Sequence, residues 1–127
     1  MEQSVFLSVI IPAYNEEKRL PKTLESVCSW LASRPYGSEV IVVSDGSKDN
    51  TQKVAQEFCA RYPFLQALQY LPNRGKGYAT RFGMQKARGR YQVFTDADNS
   101  TSIDQWEKMI PEFEKGFEVV IGSRDIK

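Results

Sequence analysis

The sequence predicts an α/β fold, a mostly parallel sheet covered by helices on both faces. Two observations carry this. Short apolar runs alternate with segments of helical period along the chain. The run Val40-Ile41-Val42-Val43 is β-branched throughout and shows no polar alternation, as a strand buried on both faces requires. A strand-helix-strand order closes through right-handed crossovers, which sets the strands parallel and gives a Rossmann-like half-domain.

The first strand is expected over residues 5–11, stopped by Pro12, which has no N–H to give to a ladder. A helix follows from about Pro21, a residue suited to a first helical turn, with Leu20, Leu24, Val27, Cys28 and Leu31 on one face. After the 40–43 strand, Ser44-Asp45-Gly46-Ser47 reads as a turn. Asp49, with Gln52 three residues on, has the pattern of a capping box. It starts a second helix with Val54, Ala55, Phe58, Cys59 and Tyr62 inward and Pro63 at its end. A weaker strand over 67–71 leads through Pro72-Asn73-Arg74-Gly75-Lys76-Gly77 into a helix with Tyr78, Ala79, Phe82 and Ala87 on one side, closed by Gly89. Residues 91–95 form another strand. Ser102 with Gln105 caps a fourth helix facing inward through Ile103, Trp106, Ile110 and Phe113, and residues 117–121 are the last strand.

At 127 residues, with 41% hydrophobic and 26% charged side chains, the composition fits one soluble core, and no linker or repeat divides it. Residues 1–127 therefore read as a single domain. A formal net charge of +1 gives no long-range field for nucleic acid or an anionic membrane, so an anionic ligand has to be gripped locally. No apolar run approaches the roughly 20 residues of a membrane span, and the N-terminus has no secretory pattern. The expected location is cytoplasmic, with membrane association only through an acceptor or through segments outside this chain. The absence of histidine removes Ser-His and Cys-His pairs and imidazole metal sites. Cys28 and Cys59 fit no metal-ligand spacing and read as buried thiols on apolar stripes.

Ligands of open parallel sheets bind beyond the carboxyl ends of the strands. Three polar clusters lie there: Pro12-Ala13-Tyr14-Asn15-Glu16, Asp45-Gly46-Ser47 and Asp96-Ala97-Asp98. Two carboxylates one residue apart repel each other unless a cation is shared. Mg²⁺ or Mn²⁺ takes one or two carboxylates plus water and phosphate oxygens, so the place of Asp96 and Asp98 directly after a strand makes them the expected metal ligands and a diphosphate the expected substrate group, whereas a lone Asp-x-Asp taken by itself more often marks solvated loop or capping residues. Asp45 can accept from the ring N–H of uracil or guanine, or serve ordinary Asp-Gly turn chemistry. Arg74-Gly75-Lys76-Gly77 brings glycine backbone and the Lys76 charge to a helix start, where phosphate is favoured, although its spacing is neither that of a P-loop nor of a dinucleotide fingerprint. Tyr14 can stack on a base and Glu16 can accept from base or ribose, while an aromatic so close to Pro12 serves packing just as often.

Taken together, Ser8-Val9-Ile10-Ile11-Pro12-Ala13-Tyr14-Asn15-Glu16-Glu17, Ser44-Asp45-Gly46-Ser47-Lys48-Asp49, Asn73-Arg74-Gly75-Lys76-Gly77 and Thr95-Asp96-Ala97-Asp98 resemble the family-two glycosyltransferases of GT-A fold. Within that family they look most like the dolichyl-phosphate glucose and mannose synthase group. The resemblance implies inverting transfer of a hexose from a UDP- or GDP-sugar to a polyprenyl (dolichyl) phosphate, at the cytosolic face of a membrane. It implies that Pro12, Tyr14, Glu16, Val43 and Asp45 surround the nucleoside, that Asp96 and Asp98 hold ribose and metal, and that Arg124 of Gly122-Ser123-Arg124 approaches the diphosphate. Lys76 is a further candidate there, and Ala13 and Ala97 belong to the same binding clusters. No residue is assigned as a catalytic base. Many relatives carry two adjacent acids where this chain has Ser44-Asp45, so Asp45 alone inherits the base contact. Members of the family continue past the last expected strand into an acceptor-binding half, so the 127 residues alone are expected to transfer weakly or not at all. Two other readings are a non-catalytic nucleotide-binding module and a nucleotidyltransferase, which also uses acidic pairs with magnesium.

Overall fold

A computed structural model describes residues 5–97. The chain runs β1 (Leu7–Ala13), α1 (Leu20–Ala32), β2 (Ser38–Asp45), α2 (Thr51–Cys59), β3 (Leu65–Tyr70), α3 (Lys76–Lys86) and β4 (Tyr91–Phe94). The strands form one parallel sheet in the order β3-β2-β1-β4, with Val9 opposite both Val40 and Val93.

Strand periodicity divides the core in two. Val9, Ile11, Val40 and Val42 point to one face, where they meet Leu20, Leu24, Val27, Cys28 and Leu31 of α1 and Ala55 of α2. Ile41 and Val43 point the other way, with Ala79 of α3 and the partly buried Leu68, Tyr70 and Phe82. Fully burying each large aliphatic side chain contributes about 1.5–3 kcal/mol. The order of the strands explains the two faces. β1 to β2 to β3 steps one way across the sheet, whereas the β3–β4 crossover returns past β1, and a right-handed connection in that direction has to lie on the opposite face. Helices on both faces, as the sequence predicts, follow from that reversal.

The observed boundaries differ from the expected ones at several ends: β2 runs over Ser38–Asp45, beyond the expected 40–43 and into the expected turn, and α3 stops at Lys86, before Gly89. β1 continues through Pro12 to Ala13. The carbonyl of Ile10 accepts from the Thr95 amide, so even-numbered residues of β1 turn their backbone polar groups toward β4, and the regular β4 pairing ends at Ile10. The missing Pro12 N–H therefore costs no ladder bond. α2 begins at Thr51, and Gln52 does not close a capping box, because its amide donates to the Ala67 carbonyl of β3 at 3.2 Å. β3 starts two residues early, at Leu65, and ends at Tyr70. The expected helix after Ser102 and the strand over 117–121 lie outside the described residues, as do Asp98 and Arg124.

At the amino edge of the sheet, Glu39 is 2% exposed and accepts from the Ser8 hydroxyl at 2.6 Å and the Arg88 amide at 2.5 Å. The Gly89 amide donates to the same hydroxyl at 2.8 Å. These bonds fasten the α3–β4 connection beneath the sheet, at the end away from the polar clusters. On α1, burial and then the neighbouring Glu25 charge push the Cys28 thiol up to about 12, so it stays protonated and inert.

Candidate nucleotide and metal site

The carboxyl ends of β1, β2 and β4 open onto a cleft of about 350 Å³. Its walls are Pro12, Ala13, Tyr14 and Glu16 after β1, Asp45 at the end of β2, Asn73, Gly75 and Lys76 before and at the start of α3, and Asp96 and Ala97 after β4. The cleft lies where the strand order reverses between β1 and β4, the place where open α/β sheets leave a crevice. Asp45 and Asp96 thus share one cavity. Of the expected set, Val43 stands apart: its side chain is wholly buried under α3 and does not line the cavity.

The loops after β1 and β2 are tied together by five hydrogen bonds. The Asn15 amide donates to Ser47 Oγ at 3.0 Å, and Asn15 Oδ1 accepts from the Lys48 amide at 2.8 Å. The amides of Glu16 and Glu17 donate to Thr51 Oγ1 and Asp49 Oδ2, and Glu17 Oε1 accepts from the Asn50 amide. Asn15 reaches this geometry at φ 53°, in the left-handed region that asparagine tolerates better than most residues. Tyr14, 43% exposed, is left at the cavity mouth with its ring accessible. Glu16 accepts from Arg19 Nε at 2.7 Å, which holds its carboxylate against the start of α1.

Asp45 is 3% exposed, and both of its oxygens are engaged. Oδ1 accepts from the Tyr70 hydroxyl at 2.6 Å and the Arg74 amide at 2.8 Å. Oδ2 accepts from Asn73 Nδ2 at 2.9 Å and the Gly75 amide at 3.0 Å. Burial, and then the carboxylate it serves, hold the Tyr70 phenol protonated well above its usual range, so it remains a donor. Asp45 is therefore the knot that shapes the loop leading into α3. Gly46 makes this approach possible: it sits at φ +66°, and a Cβ there would stand 2.2 Å from the Asn73 nitrogen.

On the opposite wall, Lys76 Nζ forms an ion pair with Asp96 Oδ1 and lies 5.8 Å over the Phe94 ring. The turn bearing Asp96 is held from behind by Thr23 of α1, 1% exposed, whose hydroxyl donates to the Ala97 carbonyl at 2.5 Å. Thr23 and Tyr70 were not singled out by the sequence, and Asn73 entered only as part of a motif, without a role of its own. Thr23 does carry a signal, as a hydroxyl on the apolar stripe of α1, whereas Tyr70 and Asn73 become partners of Asp45 only through the β2–β3 register. Among the described residues, no group of three or more His, Cys, Asp or Glu side chains converges. Asp96 supplies one hard carboxylate at the cavity wall, which fits Mg²⁺ or Mn²⁺ completed by phosphate oxygens and water.

The family described as "Glycosyl transferase family 2" matches residues 8–127. A dolichyl-phosphate beta-glucosyltransferase of Trichomonas vaginalis is 40% identical over 95% of this chain and 41% of its own length. The human dolichyl-phosphate beta-glucosyltransferase is 43% identical over 81% of this chain and 34% of its own length. The chain spans about two fifths of the length of the first curated relatives it matches. Among solved structures, Staphylococcus aureus TarS 1-349 in complex with UDP-GlcNAc superposes with a TM-score of 0.71 at 26% identity, over 87% of this chain and 32% of that one. The mannosyltransferase PcManGT of Pyrobaculum calidifontis, in complex with GDP-Man and Mn2+, gives 0.64 at 28% identity, over 75% of this chain and 28% of that one.

Proposed function

From the premise that the chain belongs to glycosyltransferase family 2, we propose that it forms the nucleotide-sugar-binding half of an inverting hexosyltransferase acting on a polyprenyl phosphate such as dolichyl phosphate. The observation that carries this reading is the joint presence of Asp45, Lys76 and Asp96 on one cavity at the strand ends. The names of the curated relatives support glucose and a dolichyl acceptor. The two superposed structures, one with a uridine and one with a guanosine donor, support a nucleoside-diphosphate sugar in the same crevice.

In this reading Tyr14 stacks on the base at the cavity mouth. The ring N–H of uracil or guanine competes for the Asp45 lone pair now taken by the exposed Asn73 amide, the one replaceable side-chain donor of the four. Pro12, Ala13 and Ala97 shape the floor, and Glu16 faces the ribose. Asp96, together with Asp98 from outside the described residues, holds Mg²⁺ or Mn²⁺. The metal, when bound, neutralises charge developing on the departing diphosphate. Lys76 and the amino end of α3 face the same phosphates, and Arg124, also outside the described residues, is assigned there by resemblance. A phosphate acceptor is already ionised at neutral pH, so the reaction asks for no strong general base, consistent with the absence of an assigned one.

Calorimetric titration with UDP, GDP, UDP-glucose and GDP-mannose, with and without Mn²⁺, tests the reading. Metal-dependent binding of one nucleotide series is the expected outcome, and it also decides between uracil and guanine. Absence of metal-dependent binding to all four ligands sinks it. The chain's share of its relatives' length favours a second outcome within the same reading, donor binding without turnover, because the acceptor has also to be held in line with the anomeric carbon.

A further inference from the structure

Lys76 and Asp96 meet at the cavity wall, ammonium on carboxylate oxygen, one from the start of α3 and the other from the turn after β4. Their side chains are 45% and 25% exposed, so the pair is open to ions from solvent. The ammonium also lies over the Phe94 ring, which gives it a defined seat beside the carboxylate. Lys76 is the first residue of α3, behind Gly75, so its charge cannot travel far from the cavity if Asp96 is taken by another cation.

We propose that Lys76 is a resident counter-ion: it occupies the cation position on Asp96 while the cavity is empty, and passes to the donor's diphosphate when a divalent metal takes that oxygen. The inference rests on the reading of the cavity as a metal and diphosphate site and goes beyond it by assigning Lys76 two successive partners. One carboxylate oxygen cannot serve the ammonium and the metal at full strength together. A metal arriving alone has to displace Lys76 and leave its charge beside a dication. A metal arriving with a diphosphate leaves Lys76 facing phosphate oxygens instead. The pair therefore makes metal and nucleotide binding mutually dependent, and by linkage each raises the affinity of the other by the same factor.

Mn²⁺ titration of the 127-residue chain, with free Mn²⁺ read by electron paramagnetic resonance, tests this in the wild type, Lys76→Gln and Lys76→Arg, each without nucleotide and with saturating UDP or GDP. In Lys76→Gln the nucleotide-free Mn²⁺ affinity rises about twofold to fivefold, the range of a partly exposed ion pair. The enhancement by nucleoside diphosphate shrinks by at least that factor, while Lys76→Arg stays near the wild type. Unchanged or weaker nucleotide-free affinity in Lys76→Gln, with a native circular dichroism spectrum, overturns the proposal. A measurement free of mutation is the acetylation rate of Lys76 by mass spectrometry: Mn²⁺ alone raises it, and Mn²⁺ with UDP or GDP lowers it. No response to Mn²⁺ alone in a chain that binds Mn²⁺ also overturns the proposal. Failure of the wild type to bind Mn²⁺ even with both nucleotides overturns instead the metal-site reading on which it rests.

Discussion

Asp45 illustrates how one buried charge can organise a binding surface. Its carboxylate is almost inaccessible, yet the hydrogen bonds from Tyr70, Asn73, Arg74 and Gly75 give each oxygen two donors, which replaces the water lost on burial. Asp45→Asn keeps the shape but turns one acceptor oxygen into an NH₂ that faces one backbone N–H and one side-chain donor. Hydrogen bonds to charged groups contribute about 1.5–3 kcal/mol each, so the variant is expected to lose about that much stability in urea unfolding. It is also expected to bind nucleoside diphosphate about tenfold to a hundredfold more weakly by calorimetry. Binding equal to the wild type would show that the knot does not shape the cavity. The sequence marked Asp45 by its place after a buried run. It left open whether the carboxylate served a base or a turn, since its partners come from β3 and the loop beyond it.

Among the elements, α3 packs tightly against β1 and β2 at Gly83. A Cβ on Gly83 would stand 2.7 Å from Ile10 Cγ2 and 3.1 Å from Val43 Cγ2, so the helix packs at a distance that only glycine allows. Gly83→Ala has to push α3 outward or force Ile10 off its rotamer, at a cost of about 1–3 kcal/mol. Because Lys76 and Gly75 ride on the same helix end, nucleotide affinity is expected to fall together with the thermal midpoint. A midpoint equal to the wild type would refute the tight contact. The register of α3 was legible from the spacing of Ala79 and Phe82, but the meaning of Gly83 was not, because it depends on the strand residues opposite. The same holds for Thr23 on α1: its hydroxyl lies on an apolar stripe, and only the fold reveals the Ala97 carbonyl that it reaches. Pro12 was read as a stop because the end of β4 pairing, which makes it harmless, is not written near it.

For the molecule as a whole, stability depends on pH through the junction of the two loops behind the cavity. Burial raises the Asp49 pKa, but hydrogen bonds from the Thr51 hydroxyl and amide and from the Glu17 amide outweigh it, and the carboxyl ends below its ordinary 3.8. A carboxylate depressed on folding contributes stability that is present above its unfolded pKa and lost as pH falls through the folded one. The difference in unfolding midpoint between wild type and Asp49→Asn is therefore expected to be full near pH 7 and to close below pH 3.8, measured by denaturant titration at both ends. A gap of equal size at both would assign the loss to shape and not to charge. The alternation of strands and helices made this architecture readable, since period and β-branching report burial directly. The cross-loop bonds of Asn15, Glu17 and Asp49 were not, because each joins residues about 30 positions apart that meet only after the β1–α1–β2 crossover has formed.

Among the described strands, β1 is completed by the one furthest from it in sequence. It pairs with β2 on one flank and keeps the other flank bare until Tyr91 to Phe94 have been synthesised. A growing chain therefore carries an apolar border in the middle of its future sheet, open to strands of other molecules for as long as translation lasts. Products ending before Tyr91 keep that border unpaired, a template for edge-to-edge association.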